Sequence, residues 1–292
     1  MRQALSVPGK LLGPDEGFTW GLLPLLVCEA AGGDPRRGLS LGVAFDCFIA
    51  AADVFDDIQD DDDDAGLQRV AGPATAINVA AFLLFLSQHA LGRLEIAHTT
   101  VTHLFELFAA TGMNAYGGQQ LDIDYTFAEE VTEAQYLEMV TRKSGTLAAC
   151  GCRAGALLAG SDEQTLTAYG QFSGNLGVAL QIANDAAGAS TRDLARSDLR
   201  TGTPTLPLIY ALNHASRPER AALTEILGLA RRGMLEPTDL EQACDLLRKV
   251  GALEYATVYV DVYWEHALTW LRQAGCADDS SLFDLLKHLR GD

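Results

Sequence analysis

The stretch LGVAFDCFIAAADVFDDIQDDDDD, residues 41–64, decides how this chain is read. Residues 41–59 are mostly apolar and hold no proline, so they predict one helix. Asp53, Asp56, Asp57 and Asp60 then fall at helical spacing on one face. Like charges one turn apart destabilise a helix, and acids at its C-terminal end oppose the dipole. Cations would offset both penalties. Hard divalent ions take oxygen ligands, and magnesium typically bridges one or two carboxylates to substrate phosphates. Asp61–Asp64 read as a solvated acidic tail, whereas Asp56, Asp57 and Asp60 continue an apolar helix. An EF-hand does not fit, because its glycine and glutamate are missing.

Working outward, the chain has 292 residues, nearly half of them apolar, with a formal net charge of −18. Such a charge repels nucleic acid and anionic membranes. A phosphorylated substrate would need metal ions or a few placed cations. The lysines are only Lys10, Lys143, Lys249 and Lys287, so the position of each is informative. Six scattered cysteines offer no second close pair to complete a zinc site, and they predict a reduced, cytoplasmic protein. No signal peptide and no membrane span are expected, and Val79–Leu86 reads as part of a buried helix.

Helical patterns cover residues 39–59, 74–96, 97–120, 131–160 and 163–187. Shorter ones follow over 205–214, 218–232, 237–250, 252–274 and 280–290. Thr132 and Asp162 supply helix starts. Alternating strand patterns, repeats and flexible linkers are absent, so one all-α domain over 1–292 is expected, with a poorly packed segment at 1–17. Glycines inside helical patterns, such as Gly155, Gly170, Gly174 and Gly177, point either to close helix packing around a cavity or to a loop.

Several segments carry a family resemblance. DDIQD, Asp56–Asp60, resembles the first aspartate-rich motif, DDxxD, of the trans-isoprenyl diphosphate synthases (polyprenyl synthetases). GPATAIN at 72–78, GQQLDI at 118–123, YLEMVTRKSGTL at 136–147, LQIAND at 180–185 and SDLRTGTPTLPLIYAL at 197–212 resemble further motifs in the right order. The resemblance implies an all-α isoprenoid synthase bundle around a central cavity. It implies Mg2+, three ions with bound diphosphate, held by Asp56, Asp57 and Asp60 with Asn184 and Asp185 as further ligands. It implies that Lys143 and Arg200 contact the diphosphate of an allylic prenyl substrate. Gln119, Asp122 and Gln181 line the site in such proteins. A homodimer is expected on the same ground.

The implied chemistry is ionisation of the allylic C–O bond in a dry apolar cavity. Phe48, Phe55, Phe82, Phe85 and Tyr116 are aromatic candidates for facing the cation or filling the core. Ala51 and Ala52 lie about one turn before Asp56. Alanine there leaves the pocket open, with Phe48 as its floor, which favours a C15 or C20 substrate over C10.

Three departures from the family pattern matter. Where elongating members carry a Gly-Lys-x-x-Arg-Pro segment for isopentenyl diphosphate, Trp20 and Leu23 stand in place of lysine and arginine. GKLLGP at 9–14 echoes that motif with Gly13 in place of arginine. The Arg-Arg-Gly after the first motif is reduced to Arg69. The second motif has Asn184 first and Gly188 last, and Thr203 replaces a lysine. Gly188 and Arg192 stand where a cyclase motif would have serine and glutamate, with Ser190 and Asp193 nearby. The leading expectation is a terpene-synthase-like enzyme that ionises one prenyl diphosphate and then cyclises or quenches it. The alternatives are a prenyltransferase, either chain-elongating or using another acceptor, and a non-catalytic regulatory subunit of another synthase.

Overall fold

The computed structural model describes residues 19–60, 66–126, 128, 130–193 and 197–290, without the side chains of 198 and 288. The echo motif at 9–14, the segment 1–17 and the run Asp61–Asp64 lie outside these residues. The described chain is helical, with no strand among its described residues. The helices are α1 (Leu22–Ala30), α2 (Leu39–Gln59), α3 (Leu67–Ala71), α4 (Pro73–Leu91), α5 (His98–Thr126), α6 (Glu133–Val140) and α7 (Thr146–Ala159). They continue as α8 (Glu163–Ser190), α9 (Leu206–His214), α10 (Arg217–Ala230), α11 (Pro237–Lys249), α12 (Ala252–Gln273) and α13 (Ser281–Arg290).

The contacts divide the chain into two compact units. The first comprises residues 1–113, 146–174 and 267–292. In it α2 packs along α4, and α1 packs on α7 and touches α2 and α13. Phe45 and Phe48 of α2 meet Phe108 of α5 with ring centroids 6.3 and 5.2 Å apart. A Cβ on Gly155 of α7 would come within 3.0 Å of the Pro24 backbone. The two helices approach so closely only because this position has no side chain, which is the close-packing reading of Gly155.

The second unit comprises residues 114–145 and 175–266. Its helices follow the i, i+3, i+4, i+7 pattern of one buried face. In α10 that face is Leu223, Ile226, Leu227 and Ala230, and in α11 it is Leu240, Ala243, Cys244 and Leu247. They share a core with Leu199, Leu208 and Ala211. A second core joins Tyr136, Met139 and Val140 of α6 to Val178, Ile182, Leu206, Ile209 and Ala256.

The helix starts were legible. Thr132 closes a reciprocal cap with Gln135 at α6, and Asp162 accepts from the Thr165 amide at 2.9 Å to cap α8. Ser216 with Glu219 and Glu236 with Asp239 close the same box at α10 and α11. Burial lifts the Cys150 and Cys152 thiols to about 12, and all six cysteines are free, as small apolar core residues would be.

Three sequence expectations change. The stretch 131–160 is two helices joined by a π turn, Thr141–Gly145. An extra residue in one turn leaves the apolar spacing almost untouched, so periodicity does not show it. Val79–Leu86 lies on a half-exposed helix, because only one stripe of α4 packs on α2. Phe82 and Phe85 are 44% and 70% exposed, so neither fills the core. The expectation of no membrane span is not overturned by the two helical stretches, 35–59 and 73–91, that are long and apolar enough to cross one by composition, since core helices meet the same measure. The first spends its apolar face on α1, α4 and α7.

Candidate active site

In the first unit α2 runs unbroken to Gln59, and Asp60 caps it by donating its amide to Asp56 O at 2.9 Å. Asp53, Asp56 and Asp57 are half-buried and Asp60 is exposed. The last turn therefore presents three hard-oxygen side chains to solvent at the negative end of a helix dipole. This donor set fits Mg2+. Among the described residues no three acidic, His or Cys side chains converge on one point. Magnesium usually draws part of its shell from substrate phosphates and water. Two turns back, Phe48 is buried beside Phe108, and about 12 Å of helix separates it from Asp56 at 1.5 Å per residue. Ala51 is fully buried and Ala52 half-buried between them. Phe55 is also half-buried.

Among the described residues this unit starts with the apolar stretch 20–27, with a carboxylate beside it. Leu23 is 3% exposed and packs toward Gly151 and Phe45. The Gly21 amide, ahead of the first turn of α1, donates to Asp46 Oδ1 at 2.6 Å. A helix N-terminus is a ready anion site, and here the protein's own carboxylate fills it.

The second unit carries a polar cluster. Lys143 sits in the π turn and donates to Asp122 Oδ2 of α5 at 2.8 Å. Their side chains are 17% and 14% exposed. Asp122 Oδ1 is buried with no hydrogen-bond partner. Gln119, one turn earlier on α5, is 6% exposed. Ser144 donates to Gln181 Oε1 at 2.9 Å, and Gln181 Nε2 donates to Asp185 Oδ1 at 2.8 Å. The Tyr136 hydroxyl donates to Asp185 Oδ2 at 2.5 Å. Burial pushes the Asp185 carboxyl up to about 6, against the pull of the Tyr136 and Gln181 hydrogen bonds. Asp122 raises it further and Lys143 relieves it.

Lys143 and Asp122, and Gln181 and Asp185, singled out separately in the sequence, thus form two polar contacts that start from the neighbouring residues Lys143 and Ser144. Asn184 is exposed on α8, although it neighbours the buried Asp185. Arg200 ends a 3-10 turn and is half-buried. Arg192 pairs with exposed Asp245 at 2.8 Å. The Thr203 hydroxyl lies 2.7 Å from that of Thr201. Sequence reasoning missed Tyr136 and Ser144. Their signal was position alone: both lie in the segment that carries Lys143, Tyr136 about two turns before it and Ser144 next to it.

One glycine explains the cluster's compactness. A Cβ on Gly118 would overlap the backbone of Arg142 and Lys143. The α5 backbone is therefore pressed against the π turn, which brings Asp122, one turn further on, under Lys143. Gly118→Ala is expected to cost about 2 kcal/mol through overpacking. It should also weaken turnover by more than that loss of stability explains, because Lys143 is displaced. Thermal denaturation and steady-state kinetics on one preparation check both.

Sequence and fold were compared with those of known proteins. The model of the polyprenyl synthetase family matches residues 19–247. A geranylgeranyl diphosphate synthase of Sulfolobus acidocaldarius is 26% identical over 283 residues, covering 90% of this chain and 83% of that protein. A crystal structure of a geranylgeranyl pyrophosphate synthase superposes with a TM-score of 0.87 at 22% identity, over 99% of this chain and 90% of the other, a likeness of fold. A tryptophan prenyltransferase, ComQ, of Bacillus subtilis subsp. natto is 27% identical over 219 residues, covering 75% of this chain and 64% of its own length.

Proposed function

We propose that this chain, which belongs to the polyprenyl synthetase family and is an isoprenoid synthase, transfers the prenyl group of an allylic diphosphate to an acceptor other than isopentenyl diphosphate. Asp56, Asp57 and Asp60 hold Mg2+, and Lys143 and Arg200 bind phosphate oxygens. When bound, the ions neutralise charge on the departing diphosphate. The allylic C–O bond breaks and its electron pair leaves with the diphosphate. The allylic cation then takes an electron pair from the acceptor, which loses a proton. Gln119, Asp122 and Gln181 orient the polar end of the substrate, and Phe48 ends the pocket below Ala52, which suits a C15 or C20 chain. A further ion on Asn184 and Asp185 has the least support, because the Asp185 oxygens already accept from Tyr136 and Gln181.

The observation that carries the choice of acceptor is the N-terminal segment. Leu23 is in the core where relatives need arginine, and Asp46 caps the turn beside it. A second diphosphate would meet a carboxylate instead of cations. The named relatives are diphosphate synthases and a prenyltransferase, so prenyl transfer outweighs the cyclisation expected from the sequence. The cyclising reading keeps one supporting observation, the same placement of Leu23 and Asp46 among the described residues. A homodimer would cover Ile77 and Phe85 of α4 and Phe105 and Met113 of α5, which stand 37–74% exposed.

The test is a substrate panel. Protein with Mg2+ and geranyl, farnesyl or geranylgeranyl diphosphate is given isopentenyl diphosphate, an indole acceptor or no acceptor. Diphosphate release from C15 or C20 substrate that depends on a non-isopentenyl acceptor is the expected result. Efficient formation of longer diphosphates overturns it. Hydrocarbon or alcohol from the allylic substrate alone moves the assignment to a cyclase, and no turnover moves it to a regulatory subunit.

A further inference from the structure

The geometry points to Gln68 as a positioning residue for the aspartate turn. Gln68 lies on α3, just after the acidic run, and is 9% exposed. Its Nε2 donates to the main-chain carbonyl of Asp57 at 3.0 Å. Carbonyls in the last turn of a helix need partners outside the ladder. Here the side chain of another helix supplies one at the residue that carries a proposed metal ligand.

A second feature shows that the contact is built. The Gln68 amide folds back over Gly66, and a Cβ on Gly66 would lie 2.7 Å from Nε2 and overlap Oε1. Any larger residue at 66 pushes the amide off the Asp57 carbonyl. Leu67, between them, is 3% exposed and fixes α3, which packs on both α2 and α4. The donor is also electrically apt. A neutral amide brings the positive end of its dipole to the negative end of α2. It does so without a formal positive charge that would compete with an ion for the carboxylates.

Gln68 therefore orders the turn bearing Asp56, Asp57 and Asp60 before any ion arrives. Without it the turn frays, and the ion must spend part of its binding energy ordering the ligands. This rests on the reading of those aspartates as magnesium ligands.

The test uses Gln68→Met, which keeps length and apolar bulk but removes the donor, and Gly66→Ala, which keeps Gln68 but displaces its amide. Amide exchange at Gln59 and Asp60 in metal-free protein is expected to rise about tenfold or more in both variants, with other helices unchanged. The Mg2+ concentration for half-maximal thermal upshift in the presence of inorganic diphosphate should rise about tenfold, and excess Mg2+ should restore kcat. Unchanged exchange at those two amides overturns the proposal. So does faster exchange spread over the whole unit, or a wild-type Mg2+ response in both variants. If the unaltered protein shows no Mg2+ response at all, the metal reading fails instead, and the exchange result alone decides whether Gln68 orders the turn.

Discussion

Asp56→Ala is expected to lower kcat/KM with an allylic diphosphate by at least about a thousandfold, or roughly 4 kcal/mol of transition-state stabilisation. The size follows from where the charge sits. Asp56 is half-buried at the end of α2, on the turn that Asp60 closes by bonding back to Asp56 O. On the proposed reading, removing its carboxylate takes an anionic ligand from the bound ion. Stability should move the other way. In metal-free protein Asp56, Asp57 and Asp60 repel each other at a helix end that is already negative. Asp56→Asn should therefore stabilise the chelated protein by about 0.3–1 kcal/mol. It should also blunt the rise in Tm on adding Mg2+ with inorganic diphosphate. A variant that loses activity and stability together, in chelator and in Mg2+ alike, would mean that Asp56 is a structural residue.

The aspartate helix was the most legible part of this molecule. Apolar spacing and the lack of a breaker predicted 39–59, and α2 spans those residues. The ends of α10 and α11 were readable because Pro, Ser and acidic residues act within one turn of the boundary. The π turn was not legible, since one extra residue in a turn hardly disturbs apolar spacing, and the contact of Gly118 of α5 with its backbone is tertiary. Tyr136 and Ser144 stayed hidden for a related reason. A hydroxyl reaching Asp185 or Gln181 across 49 or 37 residues leaves no periodic trace. The outward placement of Phe82 and Phe85 could not be read either, because apolarity fixes what a residue prefers to bury, not which neighbour covers it.

Lys143→Met is expected to have the other large effect, and a double variant separates its two causes. Lys143 and Asp122 form a nearly buried ion pair at 2.8 Å. Methionine keeps the stem's bulk but leaves Asp122 with a charge and no cation, while its Oδ1 already has no hydrogen-bond partner. Losing one member of such a pair costs about 3 kcal/mol. On the proposed reading the same change also removes a cation from the diphosphate, and KM for the allylic substrate should rise about a hundredfold. Adding Asp122→Asn neutralises the stranded charge. Most of the lost stability should return in the double variant, because a neutral pair of similar volume is nearly as stable as the ion pair. KM should stay high, because no cation has been restored. Chemical denaturation and kinetics of the two single variants and the double variant form a closed cycle. If KM recovered together with stability, Lys143 would act only by holding Asp122 in place. If KM stays high while stability returns, the lysine is the anion contact and Asp122 is its resting partner.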